Sequence, residues 1–226
     1  MTGQEAAKRA AEIIHRLKHP RGSLERIPVP GPGGTPALFL RPAPAAATGE
    51  AARDPALMAL WRNRKRESFF SWVEASEEKN RRWLEGVYGD ALEIIFMAVT
   101  PDGRPFGHLS LYNFDFSARS GEWGRLVRGE NLGPRGGMSL AARAMMDWGF
   151  ETLCLDLIFC EVFEHNRASL DLCERIGFRT TARVPLARRD EAGLVRWDHF
   201  GPNDANRPPD GWAARMELKR PAGQPR

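Results

Sequence analysis

The hydrophobic pattern along the chain changes period several times, and each change predicts an element. Near the N-terminus Ala7, Ala10, Ala11, Ile14 and Leu17 recur at helical spacing within QEAAKRAAEIIHRLK, which predicts an amphipathic helix over 4–18. Residues 28–55 are crowded with proline, glycine and alanine and read as a linker or irregular wrap, interrupted by a short strand ALFLR at 37–41. Two helices are expected next, from Pro55 to about Ser68 and from Ser76 to about Tyr88, the second with Ser76 as its N-cap ahead of Glu77 and Glu78. The apolar run LEIIFMAV (92–99) predicts a buried strand, Pro101-Asp102-Gly103 a hairpin turn, and PFGHLSLYNF (105–114) the returning strand. RSGEWGRLVR (119–128) predicts a third antiparallel strand with a bulge at Gly124. A helix at 137–151, a strand at 153–163, a helix at 166–176 and strands at 178–187, 194–200 and 212–219 complete the pattern.

Composition narrows the class. A chain of 226 residues with 42% hydrophobic and 27% charged residues suits one domain with extensions and a single substantial core. No apolar run is long enough to span a bilayer, and no signal peptide is evident, so a cytoplasmic protein without a membrane partner is expected. Cys154, Cys160 and Cys173 lack zinc-type spacing and read as reduced thiols. Neither they nor His108, His165 and His199 predict a metal site. The net charge of +4 mildly favours anionic partners but does not argue for nucleic acid. Basic residues gather at Arg62, Arg64, Lys65 and Arg66, and again at Lys79, Arg81 and Arg82, as a solvated helix face or a phosphate-contacting patch.

Chemistry concentrates between Arg128 and Phe178. The loop RGENLGPRGGM brings Gly129, Gly133, Gly136 and Gly137 to the start of a helix near Met138, where unpaired N–H groups and the helix dipole favour an anion. Arg128 and Arg135 add phosphate partners, although such loops are also ordinary turns. On the strand 153–163, Glu161 closes an otherwise apolar face, so its carboxylate must be paired, solvated or raised in pKa. A raised carboxylate would serve as a general base, and a salt-bridged one as a strand-end anchor. Asn166 occupies an N-cap position, Ser169, Leu172, Cys173 and Ile176 form a helical stripe, and Gly177 stands where a helix ends.

Taken together, EVFEHNRASLDLCERIGF, with Asn166 and the closing Gly177-Phe178, resembles the GNAT superfamily of acyl-CoA-dependent N-acyltransferases. WRNRKRESFF followed by EEKNRRWLE is similar to the paired amino-terminal helices of the branch containing ribosomal-protein and amino-sugar acetyltransferases. The resemblance covers roughly residues 55–190 and leaves out the first 50 residues and DHFGPNDANRPPDGW (198–212). It implies an α+β fold, with a mixed, mostly antiparallel central sheet flanked by helices and an N-terminal helical extension. The expected boundaries are residues 1–35 for the helix and linker and 36–220 for the acyltransferase domain. The chain departs from the family pattern at two places, at two of three positions in the pyrophosphate loop and at Cys173. Gly133, Gly136 and Met138 stand in the pyrophosphate loop, and Cys173 stands where many members carry the tyrosine that protonates the departing thiolate. Cys173 is therefore either that acid or packing.

The resemblance implies direct acyl transfer from acetyl-CoA or another acyl-CoA, with no metal. Glu161, or Glu122 on the preceding strand, would take the amine proton. Arg125, Leu126 and Val127 would hold the thioester and pantetheine, the loop with Gly133, Arg135, Gly136, Gly137 and Met138 the pyrophosphate, and Asn166 the pantetheine arm. Three acceptor readings stay open: a small-molecule amine such as a nucleotide-linked amino sugar, a protein N-terminus or lysine, or no acceptor at all in an acyl-CoA sensor or assembly module. The N-terminal helix is expected to dock on its own domain or across a homodimer, since a lone helix of about 15 residues is marginal in water.

Overall fold

The computed structural model describes residues 2–204 and 206–222. Helix α1 (Gly3–Lys18) is started by a capping box that the hydrophobic pattern alone did not reveal: the Glu5 N–H donates to Thr2 Oγ1, and the Thr2 N–H donates to the Glu5 carboxylate. Its buried stripe is Ala6, Ala10, Ile14 and Leu17, and Ala11 faces solvent, so the expected stripe is rotated slightly. These side chains join the main core directly. Lys18 closes the stripe, fully buried, its ammonium donating to the carbonyls of Tyr88 and Ala91. Burial pulls its pKa down to about 8. Ile14→Ala should cost about 2–5 kcal/mol by leaving a cavity under the sheet, read as a lowered urea midpoint with an unchanged slope.

Ten strands form one sheet among the described residues. They are β1 (Ile27–Pro30), β2 (Pro36–Pro42), β3 (Ser71–Val73), β4 (Ile94–Val99), β5 (Pro105–Asp115), β6 (Ser120–Arg128), β7 (Leu157–Phe163), β8 (Arg179–Glu191), β9 (Leu194–His199) and β10 (Gly211–Lys219). Their order is β1-β2-β4-β5-β6-β7-β10-β8-β9-β3, antiparallel at every pair except β6–β7, which is parallel. The mixed, mostly antiparallel α+β architecture expected from the resemblance is the one observed. The stretch read as linker contains β1, which pairs with β2 from Ile27↔Leu40 onward. Its prolines sit on an outermost strand, where a missing N–H costs no ladder bond on the open side.

Strand β4 explains why a continuous apolar run was needed. Ile94, Phe96 and Ala98 face the core that holds α1, α4 (Gly137–Thr152) and α5 (Arg167–Ile176). Ile95, Met97 and Val99 face a second cluster built with α2 (Asp54–Arg64) and the turn at Leu84–Tyr88 that follows α3 (Glu77–Trp83). A strand covered on both faces has no polar side. Under α2 lies a fully buried ion pair, in which Arg41 on β2 donates two bonds to the Asp54 carboxylate, at 2.8 and 2.9 Å.

One expected strand is shorter than its pattern. The apolar run from Leu153 is buried, but the chain turns at Cys154, whose φ is 56°, and β7 begins only at Leu157. Arg119 holds this turn by donating to the Cys154 carbonyl at 2.7 Å. Apolar residues in a buried turn look like strand residues to a period of two.

Candidate active site

The site begins where the sheet comes apart. Strands β6 and β7 pair only over Ser120–Glu122 and Leu157–Phe159, and beyond that their ladder stops while both strands continue. A cavity of about 600 Å³ occupies the split, walled by Trp123–Leu126 on one side and Cys160–Phe163 on the other. A second, of about 410 Å³, lies between Leu126–Arg128 and the first turns of α4 and α5. Ser68, Leu126, Asn166 and Ser169 line both, so the two voids are stretches of one channel.

A bulge in β6 shapes the wall. Between the pairs Ser110↔Gly124 and His108↔Val127, β6 carries one residue more than β5. The bulge was expected at Gly124, but the left-handed residue is its neighbour Arg125, at φ 49°. Gly124 is small for another reason: a Cβ there would stand 2.5 Å from the Tyr112 hydroxyl. The strain at Arg125 is held in place by its side chain, which pairs with Glu93 and lies over the rings of Tyr112 and Trp83.

Two carboxylates stand at the split. Glu122, the last residue of β6 paired with β7, accepts from the Tyr112 hydroxyl at 2.9 Å and from Asn113 Nδ2 at 2.8 Å. Burial and the Glu122 carboxylate push the Tyr112 phenol up, so it stays a hydrogen-bond donor. Glu161 is bound by His199 Nε2 at 2.7 Å and by Arg215 Nη1 at 3.4 Å. Glu161 is thus a paired carboxylate. Cys173 lies in the core beside Leu172 and Ile176, 1% exposed, and still contributes to the cavity wall. Its sulfur is 3.8 Å from that of Cys160, and this contact together with burial pushes the Cys160 thiol up.

At the far end of the channel, Gly136 adopts φ 74° immediately before α4, a left-handed entry that suits glycine. The turn's own bonds use the N–H groups of Gly137, Ser139 and Leu140, and among the described residues those of Arg135, Gly136 and Met138 have no protein acceptor. Gly133, Gly136, Gly137 and Met138 line this end, together with Val127, Lys65, Arg128 and Arg175. The Arg135 side chain is exposed and is not part of the lining. Asn166 caps α5 through the Ser169 N–H at 3.3 Å while facing both stretches of the channel. Free N–H groups at a helix start, with lysine and arginine around them, fit a diphosphate, and an extended arm fits the gap beside the interrupted ladder.

Several contributors carry no local signal. Arg62 reaches the cavity from α2, donating to the Ser71 carbonyl at 2.6 Å and lying over the Phe69 ring. His108 sits on the cavity wall, stacked on Trp61, whose Nε1 donates to Glu130 at 3.0 Å. Arg81 and Arg82 pair with Glu77 and Glu78 one turn earlier, as a solvated helix face does. The basic patch therefore divides between surface and site.

A family model described as the acetyltransferase (GNAT) domain matches residues 38–179. No curated protein matches the chain in sequence. Among solved structures, the spermidine N-acetyltransferase of Vibrio cholerae in complex with CoA and spermine superposes with a TM-score of 0.60 at 17% identity, covering 81% of this chain and 95% of that one. A GCN5-related N-acetyltransferase from Brucella melitensis gives 0.60 at 17%, over 90% and 82% of the two chains. A GNAT-family acetyltransferase from Bacillus anthracis gives 0.56 at 16%, over 87% and 96%. At such identities the structural likeness is one of fold. The matched segment, however, runs from β2 to the first residue of β8 and includes the split strands, the glycine turn and α5. The chain belongs to the GNAT acetyltransferase family.

Proposed function

We propose that the chain transfers the acetyl group of acetyl-CoA to a primary amine of a small molecule, with amino sugars carried on nucleotides among the acceptors its basic α2 suits. The observation that carries this reading is the continuous channel from the glycine turn to the carboxylates at the β6–β7 split. The free N–H groups of Arg135, Gly136 and Met138 hold the diphosphate of the donor. Backbone groups of Arg125–Val127 face the thioester and its arm, and Asn166 lies along the same path.

Glu122 takes the proton of the acceptor's ammonium. Its oxygens are held by two neutral donors, whereas both oxygens of Glu161 are held by Arg215 and His199. The freed amine forms its bond to the acyl carbon as the carbon–sulfur bond breaks, and the proton that the nitrogen sheds on becoming an amide is taken up by the departing thiolate. Cys173 acts as packing. Holding both reactants in one channel makes the aminolysis effectively intramolecular.

A thiol-release screen with acetyl-CoA against amino sugars, polyamines, aminoglycosides and peptides tests the reading, alongside calorimetry of CoA and pantetheine. Acceleration by a small amine, with CoA bound more tightly than pantetheine, is expected. CoA binding without any accelerating amine would favour a sensor, and acceleration by peptides alone a protein acetyltransferase. Equal affinity for CoA and pantetheine would remove the diphosphate assignment.

A further inference from the structure

The acceptor end of the channel keeps its charges apart. Glu122 and Glu161 stand at the strand split, both already hydrogen-bonded. Arg62, on α2, lines the same cavity and has no carboxylate within ion-pair distance among the described residues. One of its donors goes to the Ser71 carbonyl, and its face lies 4.5 Å from the Phe69 ring centre. A guanidinium has five donors in a planar fork, so most of its capacity is unspent. Burial first, and the Arg125 charge second, hold Arg62 below the usual guanidinium range, as befits a cation short of counter-charge. Arg125 differs in being neutralised by Glu93.

A second residue of the same cavity bears on Arg62. His108 is 5% exposed, lies on the cavity wall, and has no hydrogen-bond partner for Nδ1. Burial, then the charges of Arg62 and Arg125, take its pKa down to about 3, so it is a neutral ring. A neutral ring stacked on Trp61 gives Arg62 an uncharged wall beside it and supplies no counter-charge of its own.

Building on the acetyltransferase reading above, we propose that the acceptor carries an anionic group, phosphate or carboxylate, which Arg62 binds while the amine reaches Glu122. The site thus selects amines that also bear a negative charge. A polyamine would set a second ammonium against Arg62, and a neutral amine would leave the guanidinium without a counter-ion.

The test is thiol release by the full chain with matched acceptors: glucosamine 6-phosphate against glucosamine, 4-aminobutyrate against its amide, and spermidine as the polycation. The anionic member of at least one pair should exceed its neutral partner in kcat/KM by about 10- to 100-fold, the scale of a hydrogen bond between charged groups, mainly through KM. Which pair responds identifies phosphate or carboxylate. Arg62→Gln should bring the ratio toward one and Arg62→Lys should keep part of it. In the unaltered chain the ratio should fall as salt rises, a readout that no folding defect can mimic. Equal rates within both pairs, a preference for spermidine, or an unchanged ratio in Arg62→Gln would overturn the proposal. Calorimetry of the same pairs on the CoA-loaded chain separates the two readings. A charge preference without turnover sinks the enzymatic reading alone, and turnover without a charge preference sinks this one alone.

Discussion

Glu122→Gln is expected to lower kcat by about 10²–10⁴-fold, the usual scale for a general base, while leaving CoA affinity nearly unchanged. Glutamine preserves the shape and keeps one acceptor oxygen for Tyr112, while the Asn113 amide can turn to accept from the new NH2 group, so the bulge and cavity wall should survive. What it removes is the ability to take a proton at the point where β6 and β7 part. Glu161→Gln should act differently, because Glu161 ties β7 to His199 of β9 and to Arg215 of β10. A moderate loss, carried more by KM or by stability than by kcat, is expected there. Single-turnover rates with saturating amine distinguish the two. If Glu161→Gln is the crippling change and Glu122→Gln is mild, the proton leaves through β7 and the assignment is reversed.

The largest effect on stability should come from Asp54→Ala. It leaves the Arg41 guanidinium, 1% exposed, buried without its carboxylate. Breaking half of a buried pair costs about 3–5 kcal/mol, because the remaining charge has lost its carboxylate partner. For a chain of this size that corresponds to roughly 6–20 °C in Tm. Replacing both partners together, Arg41→Met with Asp54→Leu, should recover most of the loss, since well-packed apolar groups avoid the desolvation penalty. Thermal melts of the two single variants and the double variant give the coupling. A single variant that melts within a degree of the parent would mean that water reaches the pair.

Whatever rests on local period was legible in the chain. The spacing of Leu172, Cys173 and Ile176, the cap at Asn166 and the stop at Gly177 are all set within a dozen residues, and α5 has those bounds. The glycine turn and α4 follow for the same reason. What escaped depends on partners distant in sequence. Strand β3 has only three residues, and its pairing partner β9 lies more than a hundred residues on. His199 falls in an unremarkable stretch and meets Glu161 across two intervening strands, β10 and β8. Arg62 is one basic residue among several, and nothing in their order says that it turns inward while Arg81 and Arg82 find glutamates one turn away. The bulge was placed one residue early, because glycine is the usual left-handed residue and the anchoring of Arg125 by Glu93 is a tertiary fact.

The seam between β6 and β7 makes donor supply a folding variable. On one side of it stands β1-β2-β4-β5-β6 and on the other β7-β10-β8-β9-β3, and three residues of each strand stitch them together. On the proposed placement of the donor, the amides of its extended arm would add bonds to both edges of the gap at once. It would therefore act as mortar as well as reactant. Linkage returns its binding energy as resistance to unfolding, about 2.7 kcal/mol at a hundred times its Kd. An enzyme built this way would be sturdiest when its donor is plentiful, and with the donor scarce the seam is where opening, exchange and proteolysis are expected to begin.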